Sequence, residues 1–207
     1  MRTVKTYCVQ CGGSTSEASP TCPRCAYGLG EGEAWELDAF LGRVVDGRYR
    51  VEERLGHGNF GILYRVVHVE LGDARALKRP HLHIKTDSES MERFRREATT
   101  LAALRHPNIV GIEHFGHYPR GRPYIVMEYV DGPPLDRVLA AQGRLQLARA
   151  VSLIRQAALA LLAAHERDVL HRDLKPGNLM ITTVPGLGET VKVVDFEIGR
   201  ASCRERV

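Results

Sequence analysis

HRDLKPGN, at residues 171–178, is the densest run of chemistry-capable side chains in the sequence. It offers an imidazole, a guanidinium, a carboxylate, an ammonium and an amide. A polar cluster that dense needs a chemical purpose, because such groups are unfavourable to bury without partners. Further on, VKVVDF at 191–196 reads as a strand that delivers Asp195 to a loop. A separate set is built on sulfur. Cys8-x-x-Cys11 and Cys22-x-x-Cys25 lie near the N-terminus, and two residues between paired cysteines let both sulfurs turn toward one point. Two such pairs form the tetrahedral thiolate cage that zinc prefers. Four thiolates close the shell and leave no open position for water, so the expected role is structural. Gly12, Gly13 and Gly28 follow the pairs and suit tight turns beside the sulfurs. Two disulfides, or free thiols, are the alternatives. A disulfide needs an oxidising compartment, and MRTVKTYCVQCGG carries no apolar export segment.

A third set is glycine. Gly56-x-Gly58-x-x-Gly61 is ambiguous alone, since dinucleotide-binding folds use the same spacing before a helix. Here Ile62-Leu63-Tyr64-Arg65-Val66-Val67 follows, which is strand composition. The glycines are therefore expected to sit in a flap between two antiparallel strands. Bare backbone there can lie over phosphates and donate N–H groups, and Phe60 can close the tip. After a turn at Leu71-Gly72-Asp73, Ala76 and Lys78 point to one side of the next strand. A small Ala leaves room for a flat ring, and a Lys can meet phosphate oxygens. Taken alone, Lys78 is a solvated charge at a strand end.

These groups need elements to hold them. Residues 88–105 are expected to form a helix, with Met91, Phe94, Ala98, Leu101 and Leu104 or Arg105 at 3–4 spacing and Ser88 or Ser90 as cap. Glu97 lies beside that stripe, and Lys78 is the candidate partner; alone, Glu97 would be a surface salt-bridge residue. Tyr124–Val130 reads as an apolar strand that runs out at Asp131-Gly132. Residues 147–166 read as a second amphipathic helix. Val151, Ile154, Ala158, Leu161 and His165 share its expected inner face, with His165 a packed core histidine.

In this order, Gly56–Gly61, Ala76-Leu77-Lys78 and a helix bearing Glu97 resemble the small lobe of a eukaryotic-type protein kinase. His106-Pro107-Asn108-Ile109-Val110 is similar to the family's link from that helix to the next strand. HRDLKPGN and Asp195-Phe196 are similar to its catalytic and metal loops, and Lys175, two places after Asp173, resembles the serine/threonine subclass of Hanks type, prokaryote-like. The resemblance covers residues 49–196. It implies an α+β bilobal fold: an N-lobe of antiparallel sheet plus helix at 49–126, a hinge at 127–132, and a partial helical C-lobe at 133–196.

The resemblance implies roles residue by residue. ATP would lie against Leu55, Gly56, His57, Gly58, Asn59, Phe60, Gly61, Leu63, Ala76 and Lys78, with Leu63 where the family usually has Val. Met127 would guard the back of the pocket, and the backbones of Glu128 and Val130 would meet the adenine. Asp173 would accept or orient the proton of the attacking hydroxyl, Lys175 would steady the transferring phosphoryl group, and Lys78 with Glu97 would complete the catalytic set. Asn178 and Asp195 would hold Mg2+ through hard oxygens. His171 and Phe196 would pack inward. Arg172 hints at control by phosphorylation. The implied activity is transfer of the γ-phosphoryl of ATP to Ser or Thr of a protein. The alternatives are a nucleotide-binding pseudokinase module, which intact Asp173 opposes, and a small-molecule kinase, which Lys175-Pro176 opposes.

Composition sets the remaining bounds. The chain has 207 residues, 43% hydrophobic and 26% charged, with formal net charge +4 from 29 basic and 25 acidic residues. That suits one domain with a small appendage and is too mild a charge to argue for nucleic acid as a partner. The run AALALLAA at 157–164 is too short to span a bilayer, so no membrane segment is expected in this stretch and the expected location is cytoplasmic. Residues 1–28 form the zinc-ribbon-like head, with a possible protein partner. Residues 29–48 read as a linker whose Trp35, Leu37, Phe40 and Leu41 can dock on a neighbour. Residues 197–207, EIGRASCRERV, have no apolar period. Back-translated, they match a common sequencing-library adapter apart from the first base. A glycine codon interrupted after that base would read as Glu197, where the family has Gly, so 197–207 is expected to be foreign and the kinase domain cut short, with little activity in the chain as written.

Overall fold

The computed structural model describes residues 6–7, 14–15, 40–57, 61–80, 95, 98–118 and 122–196. Cys8, Cys11, Cys22, Cys25, Gly58, Asn59, Phe60, Met91, Phe94, Glu97 and residues 197–207 lie outside them. The chain divides into two compact units, Met1–Asp87 with His114–Val126, and Ser88–Glu113 with Met127–Val207. In the head, β1 (Thr6–Tyr7) pairs antiparallel with β2 (Ser14–Thr15), Tyr7 opposite Ser14.

The first unit is built on an antiparallel sheet. Its strands are β3 (Val44–Val45), β4 (Tyr49–His57), β5 (Gly61–His68), β6 (Ala74–Pro80), β7 (Ile112–Tyr118) and β8 (Arg122–Glu128). They lie in the order β3-β4-β5-β6-β8-β7. Alternation decides which side is which. Tyr49, Val51, Ile62, Tyr64, Val66, Leu77, Tyr124 and Val126 share one core with Phe40 and Val45. The segment expected to be a linker thus starts the sheet. Phe40 is buried, its ring centroid 5.1 Å from that of Tyr64, and the Arg79 guanidinium stacks 4.7 Å over Phe40. Of the residues expected to dock, Phe40 does so and Leu41 is exposed. Tyr124 closes this corner by donating its hydroxyl to Asp46 at 3.0 Å. Burial, then that hydrogen bond, pushes the phenol well above its ordinary range.

In the second unit, residues 98–102 are helical, so the expected helix ends before 105. Ala98, Leu101 and Leu104 are buried as the period predicts, and Arg105 is exposed. α1 (Leu135–Gln142) ends at Gly143, whose positive φ of 72° suits glycine and whose N–H caps the Leu139 carbonyl. α2 (Leu147–His165) then packs on a hairpin of β9 (Leu179–Val184) and β10 (Gly188–Val193). β8 stops at Glu128 and β10 at Val193, short of the expected Val130 and Val194.

The buried face of α2 corrects the sequence reading. Leu153, Ala157, Ala160 and Ala164 are buried, whereas Val151 is 56% and Ile154 67% exposed, and Ala158 and His165 are exposed too. Leu161 is half-buried. The helix is apolar nearly all round, so its period does not choose a face. Size does: the alanines let Val191 and Val193 of β10 come close. His165 is accordingly not a core histidine. With a mean hydropathy of 1.5, α2 is also long and apolar enough, by length and composition alone, to cross a membrane. The expectation from the short run AALALLAA did not foresee that, but Leu153 and Ala157 pack against Ile181 and Val191 as a core helix does.

Candidate active site

The residues singled out in the first unit gather at the β4–β5–β6 end of the sheet. β4 and β5 are antiparallel with Gly56 opposite Leu63 and His57 opposite Ile62, so a strand follows the glycines and not a helix. The register slips between Arg54 and Gly56, a bulge that leaves Leu55 exposed. The two described glycines differ in kind. A Cβ on Gly61 would stand 2.1 Å from the Arg79 carbonyl oxygen, so strand packing itself demands glycine. A Cβ on Gly56 would meet nothing within 4 Å, so protein packing does not explain that residue. Leu63 pairs directly with Lys78, and Arg65 with Ala76. In a pleated sheet these side chains share one face, opposite the Tyr64–Leu77 core. Ala76 is buried there and Lys78 half-buried.

In the second unit the catalytic-loop candidates converge. His171 is buried, its Nε2 2.9 Å from the Val194 carbonyl and its ring centroid 4.6 Å from that of Phe196. The Asp173 N–H donates to the His171 carbonyl at 2.9 Å. The Lys175 ammonium donates to Asp173 Oδ2 at 2.6 Å. Pro176–Asn178 forms one 3-10 turn, with Pro at its start where no N–H is needed. That turn buries Asn178, whose Nδ2 donates to the Asp173 carbonyl at 2.8 Å and to Asp173 Oδ2 at 3.2 Å. The Lys175 hydrogen bond, with lesser help from Asn178, holds the Asp173 carboxyl below the usual carboxylate range.

Asp195 reaches this cluster through its neighbour. Val194 donates its N–H to the Asn178 carbonyl at 3.0 Å, and its own carbonyl meets His171. Both flanks of Val194 are therefore pinned to the catalytic loop one residue before Asp195. Asp195 and Arg172 adopt positive φ, 58° and 63°, a backbone conformation that L-residues hold only where surroundings dictate it. Both Asn178 side-chain contacts to Asp173 use the amide nitrogen, so the amide oxygen is not spent on that carboxylate. An amide oxygen with a carboxylate is a donor set that suits Mg2+.

Met127 is buried, and Val130 is half-buried beyond the end of β8. The Glu128 N–H donates to the Gly111 carbonyl at 2.9 Å, so of that residue's backbone only the carbonyl can meet a base edge. Three groups escaped the sequence reading. Lys192 binds both Glu128 carboxylate oxygens at 2.8 Å, and the Gly111 N–H lies 3.3 Å from Oε2. Gln156 on α2 accepts from the Asn108 side chain at 3.0 Å and from the Val191 N–H at 2.9 Å. A lysine set between valines in VKVV was the available signal for the first of these. For Gln156, nothing local distinguished it from a solvated residue.

Comparison with known proteins agrees with this geometry. The family described as "Protein kinase domain" matches residues 49–206. Serine/threonine-protein kinase PknA of Mycobacterium tuberculosis is 39% identical over 165 residues, 78% of this chain and 37% of PknA. The chain therefore spans little more than a third of that relative. The crystal structure of the M. tuberculosis PknI kinase domain superposes with a TM-score of 0.63 at 32% identity, over 78% of this chain and 63% of that one. A structure of Rad53 1-466 in complex with AMP-PNP gives a TM-score of 0.62 at 29% identity, over 73% of this chain and 38% of that one. With that family matched over residues 49–206, the chain belongs to the protein kinase family.

Proposed function

We propose that the protein is a serine/threonine kinase that moves the γ-phosphoryl of ATP to a Ser or Thr hydroxyl of a protein. The observation that carries the reading is the joined cluster Asp173–Lys175–Asn178, with Val194 tying Asp195 to it. Asp173 takes the hydroxyl proton as oxygen attacks the γ-phosphorus and the bond to the β-phosphate oxygen breaks, releasing ADP. Lys175, already on the same carboxylate, is placed to meet charge on the transferring group. Lys78 is proposed to meet phosphate oxygens, with Glu97 its proposed partner, and the glycine segment from Leu55 to Gly61 is proposed to donate backbone N–H groups to them. Bound Mg2+ would neutralise phosphate charge, and Asn178 and Asp195 are the oxygens to hold it. The Glu128 carbonyl and the Val130 backbone hold the adenine behind Met127. The AMP-PNP complex of Rad53, a protein of similar structure, supports a nucleotide in such a site.

The head is proposed to be a zinc ribbon held by Cys8, Cys11, Cys22 and Cys25, presenting a surface to a protein partner. Support comes from the β1–β2 pairing, because residues 8–13, which contain the first cysteine pair, join the two strands. Residues 197–207 are proposed to be foreign to the kinase and the chain bearing them to transfer poorly, and the protein is proposed to act in the cytoplasm. The test is phosphorylation of a protein substrate by the kinase and by Asp173→Asn. Loss of at least about a thousandfold with retained ATP binding is expected. Binding without transfer by the kinase domain with an uninterrupted frame after Phe196 would favour the nucleotide-binding regulatory module. About one zinc per chain, by metal analysis without chelator, is expected.

A further inference from the structure

Lys192 is the least exposed charged group with a resolved partner near the end of β8. Its side chain is only 12% exposed, and it is the penultimate residue of β10, three residues before Asp195. A lysine that buried needs its charge answered. Glu128 answers it with both oxygens at 2.8 Å. The same carboxylate accepts the Gly111 N–H at 3.3 Å, while the Glu128 N–H returns to the Gly111 carbonyl at 2.9 Å. His106, the nearby titratable group, is held below the ordinary imidazole range by burial first and the Lys192 ammonium second. It accepts the Asn108 N–H at 3.1 Å as a neutral ring acceptor. Glu128 is thus clamped from both its backbone and its side chain at the point where β8 ends. Past that point no strand ladder fixes the peptide.

We infer that the Lys192–Glu128 ion pair is a positioning device for base recognition. It fixes the rotation of the Glu128 peptide, so that its carbonyl is presented to the exocyclic amine of adenine. Lys192 is a positioning residue and touches no substrate. The inference rests on the kinase reading above. It also links the base-binding backbone to β10, the strand that delivers Asp195.

The experiment is equilibrium binding of a fluorescent ATP analogue to the 207-residue chain, displaced in turn by ATP, GTP and inorganic tripolyphosphate. The variants are Lys192→Met, Lys192→Arg, Glu128→Gln and the double variant Lys192→Met/Glu128→Gln, each checked by thermal melting. Lys192→Met and Glu128→Gln should each weaken ATP about tenfold, with tripolyphosphate displaced within about twofold of the unsubstituted chain. The ATP-over-GTP preference should shrink with it. The double variant should be no worse than either single one, and Lys192→Arg should keep most of the affinity. Unchanged ATP affinity in Lys192→Met would overturn the inference. So would equal weakening of ATP and tripolyphosphate, which marks a general loss of structure. Failure of the unsubstituted chain to bind any adenine nucleotide would instead overturn the kinase reading itself.

Discussion

The carboxylate of Asp173 is asked to receive a proton, yet its neighbours favour the ionised form. Lys175 donates at 2.6 Å and Asn178 at 3.2 Å, and both lower its pKa. The consequence is a ready acceptor across the neutral range. A carboxyl with depressed pKa stays ionised until the pH falls through that lowered value, so the acid limb of the rate profile governed by Asp173 should lie below the usual carboxylate range. Lys175→Met removes the largest cause of the depression. Its expected result is a limb displaced to higher pH together with a lower kcat, because the same ammonium no longer meets phosphoryl charge. A lower kcat with an unmoved limb would mean that Lys175 does not set the protonation of Asp173. That Asp173 and Lys175 serve one site was legible from HRDLKPGN through the family resemblance, though not the hydrogen bond between them. The direction of Asn178 was not, because it depends on the 3-10 turn at Pro176–Asn178.

Between residues and the molecule stand the elements, and β10 carries more than its neighbours. Its free edge is a liability unless covered. Val193 is covered by residues 108–110, donating to the Asn108 carbonyl at 2.8 Å and accepting from the Val110 N–H at 3.0 Å. Val191 is covered by a side chain, the Gln156 amide, which also donates to the Glu189 carbonyl at 3.1 Å. Replacing that amide by an isosteric apolar group, Gln156→Leu, leaves a fully buried Val191 N–H without its partner. The expected loss is about 2 kcal/mol of stability, read from the urea midpoint. A change under about 0.5 kcal/mol would mean that another group covers this edge. Here the limits of the sequence are physical. The strands around the glycine flap announce themselves by β-branched and aromatic runs, and the Ala98–Leu101–Leu104 stripe by its period. The start of the sheet at Val44–Val45 is too short to show a period, and Phe40 gains its meaning only from Tyr64 and Arg79 across the chain. The inner face of α2 was misread because hydrophobicity was used where side-chain volume decides.

For the whole molecule, α2 poses the largest remaining physical question. Leu147, Val151, Ile154 and Leu162 are all more than half exposed on a helix whose other side is packed on β10. Exposed apolar side chains on that scale make a chain prone to associate with itself. The effect is separable from folding, because Ile154 and Leu162 contribute little to the packed face. Ile154→Ser with Leu162→Ser should therefore leave the melting temperature nearly unchanged, within the roughly 0.5 kcal/mol expected of surface substitutions. It should also lower the light scattering of the 207-residue chain at matched concentration. The control is Ala160→Leu, on the buried side. It adds volume against Leu101, Ile109 and Val193, and overpacking there is expected to destabilise by about 1–3 kcal/mol without improving solubility. If instead the serine pair destabilises as strongly as the control, the face is covered in solution.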